Sequence, residues 1–140
     1  MQHGLASLSG LRRAFFAGTL VLAGLAPAIA ADRGRQREQF RQALDAAENG
    51  RPWKPFAIDL ADYPLFPWLE QTALKRRLGK LDRTEVEDFV KRWPRTLPAE
   101  ELRTAFLREL ARRRQWRDYL ALYRDDEARD LRCHALAAKL

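Results

Sequence analysis

The chain has 140 residues, with 26 lysines and arginines against 19 acidic residues and a formal net charge of +7. This length predicts one domain. Cys133 is the single cysteine, which excludes an intramolecular disulfide, so packing must stabilise a core of modest size. The charge fits either a solvated helical surface rich in arginine or a surface that contacts anionic polymers.

The first thirty residues have the order of a secretory signal peptide. "MQHGLASLSGLRR" ends in two arginines, "AFFAGTLVLAGLA" is small and apolar, and "PAIAAD" offers a small-residue cleavage site after Ala30. An uncleaved membrane anchor is the alternative, but the run is shorter than the roughly 20 residues of a spanning helix. We therefore predict a signal peptide over 1–30 and an exported domain over 31–140. Cleavage removes two arginines and no acid, which leaves a charge of +5 and makes nucleic acid an unexpected partner.

Helical periodicity dominates the exported part, and no sustained strand alternation occurs. Apolar residues recur at helical spacing in four stripes, with a weaker fifth stripe at Leu74, Leu78 and Leu81. The four are Phe40-Ala43-Leu44-Ala47, Val86-Phe89-Val90-Trp93, Leu102-Ala105-Phe106-Leu110 and Trp116-Tyr119-Leu120-Tyr123. Each helix is short and amphipathic, so each must pack on its neighbours.

Turn and cap residues separate these helices. Stops are predicted at Asn49-Gly50, Gly79 and Trp93-Pro94, and starts at Pro98 and at a capping box, either Asp82-x-x-Glu85 or Thr84-x-x-Glu87. Because the connections are short, successive helices should run antiparallel. The predicted fold is all-α, an array of short antiparallel helical hairpins that forms part of an α-superhelix.

The last segment, "DEARDLRCHALAAKL", is helical in composition and stays apolar to Leu140. A terminal repeat normally presents a polar outer face. We therefore expect the domain to be truncated at its C-terminal end, or a partner to cover that end.

Few residues offer chemistry. Cys133 and His134 are adjacent, so on a helix they point about 100° apart and fit neither a metal site nor a nucleophile pair. A small buried residue is the expected role of Cys133. His3 lies in the signal peptide. No phosphate loop or nucleophile elbow occurs.

The sequence predicts structural roles for the carboxylates. One group lies in first turns of helices, where the helix dipole lowers a carboxyl pKa: Glu85, Glu87, Asp88, Glu100 and Glu101. Glu109 has Arg108, Arg112 and Arg113 as neighbours, which acts in the same direction. None resembles the acid of raised pKa that glycoside cleavage needs. We expect no catalytic, cofactor-binding or metal-binding residue in the chain.

Aromatic residues could stack on sugar rings. Trp93, Trp116, Tyr119 and Tyr123 belong to apolar stripes, where core packing is the default. Trp53, Tyr63 and Trp68 lie outside a clean stripe and stay open, with packing favoured. The segment "DLADYPLFPWLEQ" holds three aromatic residues and two prolines, which predicts a proline-set corner packed with rings.

The order of these motifs resembles the N-terminal superhelical (U-type) region of the soluble lytic murein transglycosylases of Gram-negative bacteria. That family shows a Tyr-Pro-Leu-Tyr-Pro-Tyr-Leu-Glu run, matched by Tyr63–Glu70. A helix ending in aromatic-Pro follows, then a Leu-Arg helix, a tryptophan and a Leu-Arg-Cys segment, matched by Trp93-Pro94, Leu102-Arg103, Trp116 and Leu131-Arg132-Cys133. Phe106 stands in place of a usual tryptophan, and Arg113-Arg114 replaces a glycine-type turn.

The resemblance implies a fold and a role. The family cleaves the β-1,4 bond between N-acetylmuramic acid and N-acetylglucosamine to 1,6-anhydromuramoyl ends, a carbon–oxygen lyase reaction. It uses a glutamate in a C-terminal lysozyme-like domain that this chain does not contain. The chain is then a periplasmic, non-catalytic scaffold, inactive alone. Its implied partners are the missing catalytic region and, through basic faces, peptidoglycan glycan strands. The alternatives are a free-standing exported helical adaptor that binds an envelope protein, and an independent muramidase.

Overall fold

A computed structural model describes residues 25–125 and 128–140, with side chains from Asp32 onward. Six α-helices follow one another in these residues. They are α1 (Leu25–Glu48), α2 (Phe66–Arg76), α3 (Arg83–Arg92), α4 (Leu97–Arg112), α5 (Trp116–Leu122) and α6 (Arg129–Ala137). Short 3-10 turns lie at Lys54–Phe56 and Leu78–Lys80, and the described residues contain no strand. The all-α prediction is confirmed.

Side-chain contacts fix the directions of the central helices. The end of α2 meets the start of α3 through Arg77 and Glu85, whereas Glu70, near the start of α2, meets Arg92 at the end of α3. The start of α4 meets the end of α5, because Glu100 pairs with Arg124. These pairs run antiparallel, as the short connections predicted.

The helix α4 is the centre of the array, since α2, α3, α5 and α6 all pack on it. Its buried face continues into one large cluster of buried residues, made of Leu81, Val86, Phe89, Ala99, Leu102, Phe106, Leu107, Leu110, Ala111, Tyr119, Leu122, Leu131 and Ala135. A smaller cluster joins α1 to α2 and the segment between them, through Ala43, Ala47, Ala57, Leu60 and Leu69. Two of the four predicted stripes, those of α1 and α3, enter these clusters whole or as half-buried neighbours. The α4 stripe enters except for Ala105, which is half-buried outside the cluster. The fourth contains Leu120, which is exposed while Leu122 is buried in its place.

Helix ends follow local sequence. Gly50 has a φ of 68° and ends α1 with two reversed hydrogen bonds, from Gly50 N to Ala47 O and from Arg51 N to Ala46 O. This pattern is the Schellman motif, for which glycine is the usual residue. At the start of α3, the Asp82–Glu85 capping box forms, and it is the one of the two predicted boxes that does. Trp93 is the C-cap of α3, as predicted.

Two further expectations are wrong. Gly79 does not end a helix in the left-handed region; it lies inside the 3-10 turn that follows α2. Cys133 is exposed instead of buried, because α6 turns Leu131 and Ala135 toward the core. Leu136 is also on the outside, with 65% of its surface exposed.

Most of the predicted signal peptide, 1–24, lies outside the described residues, and its last six residues begin α1. The cleavage site after Ala30 therefore stays a prediction. No helix in the described part of the chain is long and apolar enough to cross a membrane.

Candidate functional site

Aromatic rings meet where the segment before α2 turns. The Phe66 ring lies edge-on to Trp53 and to Trp93, with 6.2 Å between ring centroids in each pair. The Tyr63 ring lies 5.2 Å from that of Phe40. These rings are half-buried and pack on the smaller cluster or on each other. The predicted ring-packed corner is confirmed for Tyr63 and Phe66, and Phe66 connects α2 to the end of α3. Trp68 is half-buried.

Glu70 follows this corner and anchors α3. Its carboxylate accepts a hydrogen bond of 2.7 Å from the indole N–H of Trp93 and one of 2.8 Å from Arg92. The Glu70 side chain is only 13% exposed, so the shared acceptor is largely shielded from water, whereas the Arg92 side chain is 55% exposed. Charge-assisted hydrogen bonds are among the stronger ones in proteins. This glutamate therefore acts as a structural anchor.

Gln71 anchors the start of α4 in the same way. Its amide donates to the carbonyl of Pro98 at 3.1 Å and to the carboxylate of Glu101 at 3.0 Å. The Gln71 side chain is buried, so its polar atoms need these partners. Glu70 and Gln71, which are adjacent in the chain, thus hold both sides of the turn between α3 and α4.

An open groove of about 360 Å³ lies between α2 and α3. Both helices pack on α4 but hardly on each other, and two ion pairs cross the gap, one toward each end. Ala73 and Leu74 contribute apolar surface to the groove, and the segment before α2 contributes Trp53 and Lys54. The charged lining is balanced, with Lys54, Arg77 and Arg92 against Glu70, Glu85 and Asp88. We call this cavity the α2–α3 groove.

A second open groove, of about 420 Å³, lies between α3 and the end of α5. Arg103 is on its lining and is almost fully buried. Its guanidinium donates to Glu100 at 2.8 and 3.0 Å and to the carbonyl of Leu122 at 3.3 Å. The sequence pattern indicates no role for Arg103 beyond its place in the Leu102-Arg103 motif. The i, i+3 spacing from Glu100 was the available signal for this pairing.

Two of the acids predicted to have a low pKa, Glu100 and Glu109, are stabilised in their charged form. Hydrogen bonds from Arg112 and Arg113 lower the pKa of Glu109 to about 2. Burial raises the pKa of Glu100, but bonds from Arg103 and Arg124 outweigh this and leave the pKa below its usual value. Both directions agree with the sequence prediction. Arg108 is an exception, because it pairs with Asp130 instead of Glu109.

The region around Cys133 brings no reactive pair together. Cys133 is exposed, whereas His134 is half-buried with its ring edge-on to Tyr119 at 6.4 Å. Tyr119 is fully buried, and its hydroxyl donates to the carbonyl of Leu131 at 2.6 Å. Among the described residues, no group of three or more His, Cys, Asp or Glu is placed to hold a metal ion.

The fold and these contacts define a class of protein. It is an array of antiparallel helical hairpins whose polar and aromatic motif residues mainly join one helix to the next. Sequence comparisons show which proteins the chain is similar to. The chain is 35% identical over 108 residues to the soluble lytic murein transglycosylases of Escherichia coli K12 and Escherichia coli O157:H7, and 35% identical over 88 residues to that of Salmonella typhimurium LT2.

These matches cover 73%, 73% and 61% of the chain but only 16%, 16% and 14% of the relatives. The chain therefore spans about a sixth of the length of the curated relatives it matches. No family model matches it, and no solved structure matches it significantly. The resemblance seen in the motifs is confirmed, and it is to a part of the soluble lytic murein transglycosylase family.

Proposed function

We propose that the chain is a periplasmic, non-catalytic helical scaffold portion of a peptidoglycan lytic transglycosylase. The observation that carries this proposal is the structural role of the residues at the end of the motif that resembles the family. Glu70, the last residue of that motif, and Gln71, which follows it, hold the two sides of the turn between α3 and α4. Residues with this role build a rigid support for another domain.

The charged state of the acids supports the same role. A general acid for glycoside cleavage needs a carboxyl pKa raised toward neutrality. Glu100 and Glu109 instead have lowered pKa values, because arginines donate to their carboxylates. The activity named for the relatives would then belong to a region outside this part, and the missing region of the same protein would be the partner of the scaffold.

A digestion assay tests the lack of activity. The full chain is incubated with purified sacculi, and the soluble products are analysed by mass spectrometry, with the Escherichia coli relative as the positive control. We expect no 1,6-anhydromuropeptides and no new reducing ends from the chain alone. Release of either product, from a preparation free of contaminating hydrolase, would contradict the non-catalytic role.

A chimera tests the scaffold role directly. The matched 108-residue region of the Escherichia coli relative is replaced by the corresponding residues of this chain. We expect a folded chimera that still cleaves murein. Substituting Glu70→Ala in the chimera should lower its melting temperature, whereas Ile58→Ser, at a side chain that is 78% exposed, should not. A folded chimera without activity would count against the proposal.

A free-standing exported adaptor is the second candidate, and the outer side of α6 is the observation that favours it. Cys133 and Leu136 are three residues apart and both exposed, so they share one face of the helix. An adaptor that binds through this face requires it to stay accessible in the whole protein. Labelling of Cys133 in the chimera distinguishes the two: a thiol reagent should react poorly if the next part of the scaffold covers α6, and readily if α6 is an adaptor face.

A further inference from the structure

The α2–α3 groove is a gap that the packing of the helices leaves open. Both walls rest on α4, and the α2 and α3 backbones stay apart. The ion pairs Arg77–Glu85 and Arg92–Glu70 bridge it, one near each end of the pair of helices. The walls are therefore positioned by their packing on α4 and joined by two ion pairs, and an open cleft of this kind is a candidate binding site.

Two charges on the groove have no ion pair or hydrogen bond among the described residues: the ammonium of Lys54 and the carboxylate of Asp88. Asp88 lies three residues after Glu85 and four before Arg92, so all three share the face of α3 that lines the groove. Asp88 also lines the second groove and therefore stands between the two. Trp53, adjacent to Lys54, adds a half-buried indole. An aromatic surface, a free cation and a free anion thus occur in one cleft.

We propose that the α2–α3 groove binds an amphoteric glycopeptide, the disaccharide–peptide unit of peptidoglycan. The sugar ring lies against the Trp53 indole, a peptide amine pairs with Asp88, and a peptide carboxylate pairs with Lys54. This inference rests on the proposed function, because it takes its ligand from the polymer on which the relatives act.

The balanced charge of the groove selects this ligand class over two others. A polyanion would gain from three cations but would be repelled by three carboxylates in the same space. A neutral glycan would use the indole but would leave Lys54 and Asp88 unused. A ligand that carries both an amine and a carboxylate next to a sugar uses all three features.

A binding titration tests the assignment. The full chain is titrated with a soluble disaccharide–tetrapeptide muropeptide, followed by calorimetry and by the indole resonances in two-dimensional NMR. We expect binding that shifts the Trp53 indole signal. Lys54→Gln and Asp88→Asn should each raise the dissociation constant about fivefold, because each removes one exposed charge contact.

Matched controls separate the groove from general charge effects. Lys91→Gln removes an exposed cation that lines the second groove, and Asp62→Asn removes an exposed acid of the loop before α2. Both should bind the muropeptide like the parent chain. All four side chains are on the surface or in open grooves, so the variants should fold, which circular dichroism checks.

Two comparison ligands complete the test. An N-acetylglucosamine oligomer without peptide should bind more weakly and should be insensitive to Asp88→Asn. Equal binding of the oligomer and the muropeptide would overturn the amphoteric assignment. Absence of muropeptide binding at millimolar concentration, or binding that Lys54→Gln and Asp88→Asn leave unchanged, would overturn the site. Either failure leaves the scaffold role intact, since the chimera tests that role independently.

Discussion

The two clusters of buried residues are built from different materials. Around α4, the large cluster consists mostly of bulky side chains, with Phe89, Phe106 and Tyr119 at its centre. Between α1 and α2, the small cluster has three alanines and two leucines, surrounded by half-buried rings. Burial of apolar area is the main source of stability, so α4 and its neighbours should hold most of it.

The small cluster is held together by close helix contacts, covering rings and polar contacts. The α1–α2 contact relies on alanines that allow close approach, and on rings that cover them. The attachment of α2 to the rest of the molecule adds the polar contacts of Glu70 and Gln71 to apolar packing. This difference indicates that α1 and α2 are the part of the array that unfolds locally most easily, since few large side chains are buried there.

Breaking the large cluster should have the largest effect. Phe106→Ala removes a fully buried ring from the middle of α4. We expect the free energy of unfolding to fall by about 3 to 5 kcal/mol. Urea denaturation measures the change, and amide exchange should accelerate in α3, α4 and α5 together.

The control for this variant is Ala105→Ser, one residue away and only half-buried. Its effect on unfolding should be much smaller. If Phe106→Ala cost less than 1 kcal/mol, the view that α4 organises the main core would be wrong.

The junction between the two clusters should give an intermediate effect. Glu70→Ala deprives the Trp93 indole and the Arg92 guanidinium of a shielded acceptor. We expect a loss of about 1 to 2 kcal/mol, with faster amide exchange in α1 and α2 than in α4. Glu48→Ala, at an exposed position in α1, should cost far less. Uniform acceleration across all helices would show that the two clusters open as one unit.

The sequence was enough to predict the helices and most of their boundaries. Amphipathic stripes and caps such as Asp82 and Trp93 are local signals, and local structure followed them. The sequence-based predictions failed where tertiary contacts determine the local structure. Gly79 lies beside Glu109 and Arg113 of α4, and the chain there adopts a 3-10 turn that glycine content alone does not indicate.

The site was harder to predict than the fold. The rings of the motif were correctly expected to pack, because prolines and aromatics in a short segment favour a corner. The α2–α3 groove could not be foreseen, since it exists only because both walls rest on α4 without touching closely. The exposure of Cys133 likewise depends on which side of α6 faces Tyr119.

Helix ends permit a smaller and more controlled comparison between the two regions. Arg114 ends α4 with a φ of 59° and the same reversed hydrogen bonds that Gly50 uses to end α1. A side chain in this left-handed conformation is strained, whereas glycine is not. Arg114→Gly should therefore raise the free energy of unfolding by about 0.5 to 1 kcal/mol.

The reciprocal substitution is the control. Gly50→Ala should lower stability by about 1 kcal/mol, because it imposes on α1 the strain that Arg114 already carries. Thermal and urea unfolding of both variants measure the pair. A destabilising Arg114→Gly would mean that the arginine side chain contributes more than its backbone strain costs.

The smallest predicted effect is a change in acid sensitivity at the end of α4. The carboxylate of Glu109 has a pKa lowered to about 2 from an ordinary value of 4.5, mainly by a hydrogen bond from Arg112 and then by one from Arg113. A lowered pKa in the folded state stabilises the protein above the unfolded-state pKa, and this stability disappears as the pH falls through the folded-state pKa. Glu109→Gln should therefore be less stable than the parent at neutral pH.

The difference between the two proteins should shrink between about pH 4.5 and about pH 2 and vanish below that range. Urea unfolding at several pH values checks this, with Glu48→Gln as an exposed control in α1. Both the parent and the Glu109→Gln variant should keep some acid sensitivity. Asp82 and Asp130 also have lowered pKa values, mainly through hydrogen bonds from Thr84 and Arg108 respectively. A stability difference that stayed constant with pH would indicate that Glu109 acts through packing, and that its ion pairs with the arginines contribute little to the end of α4.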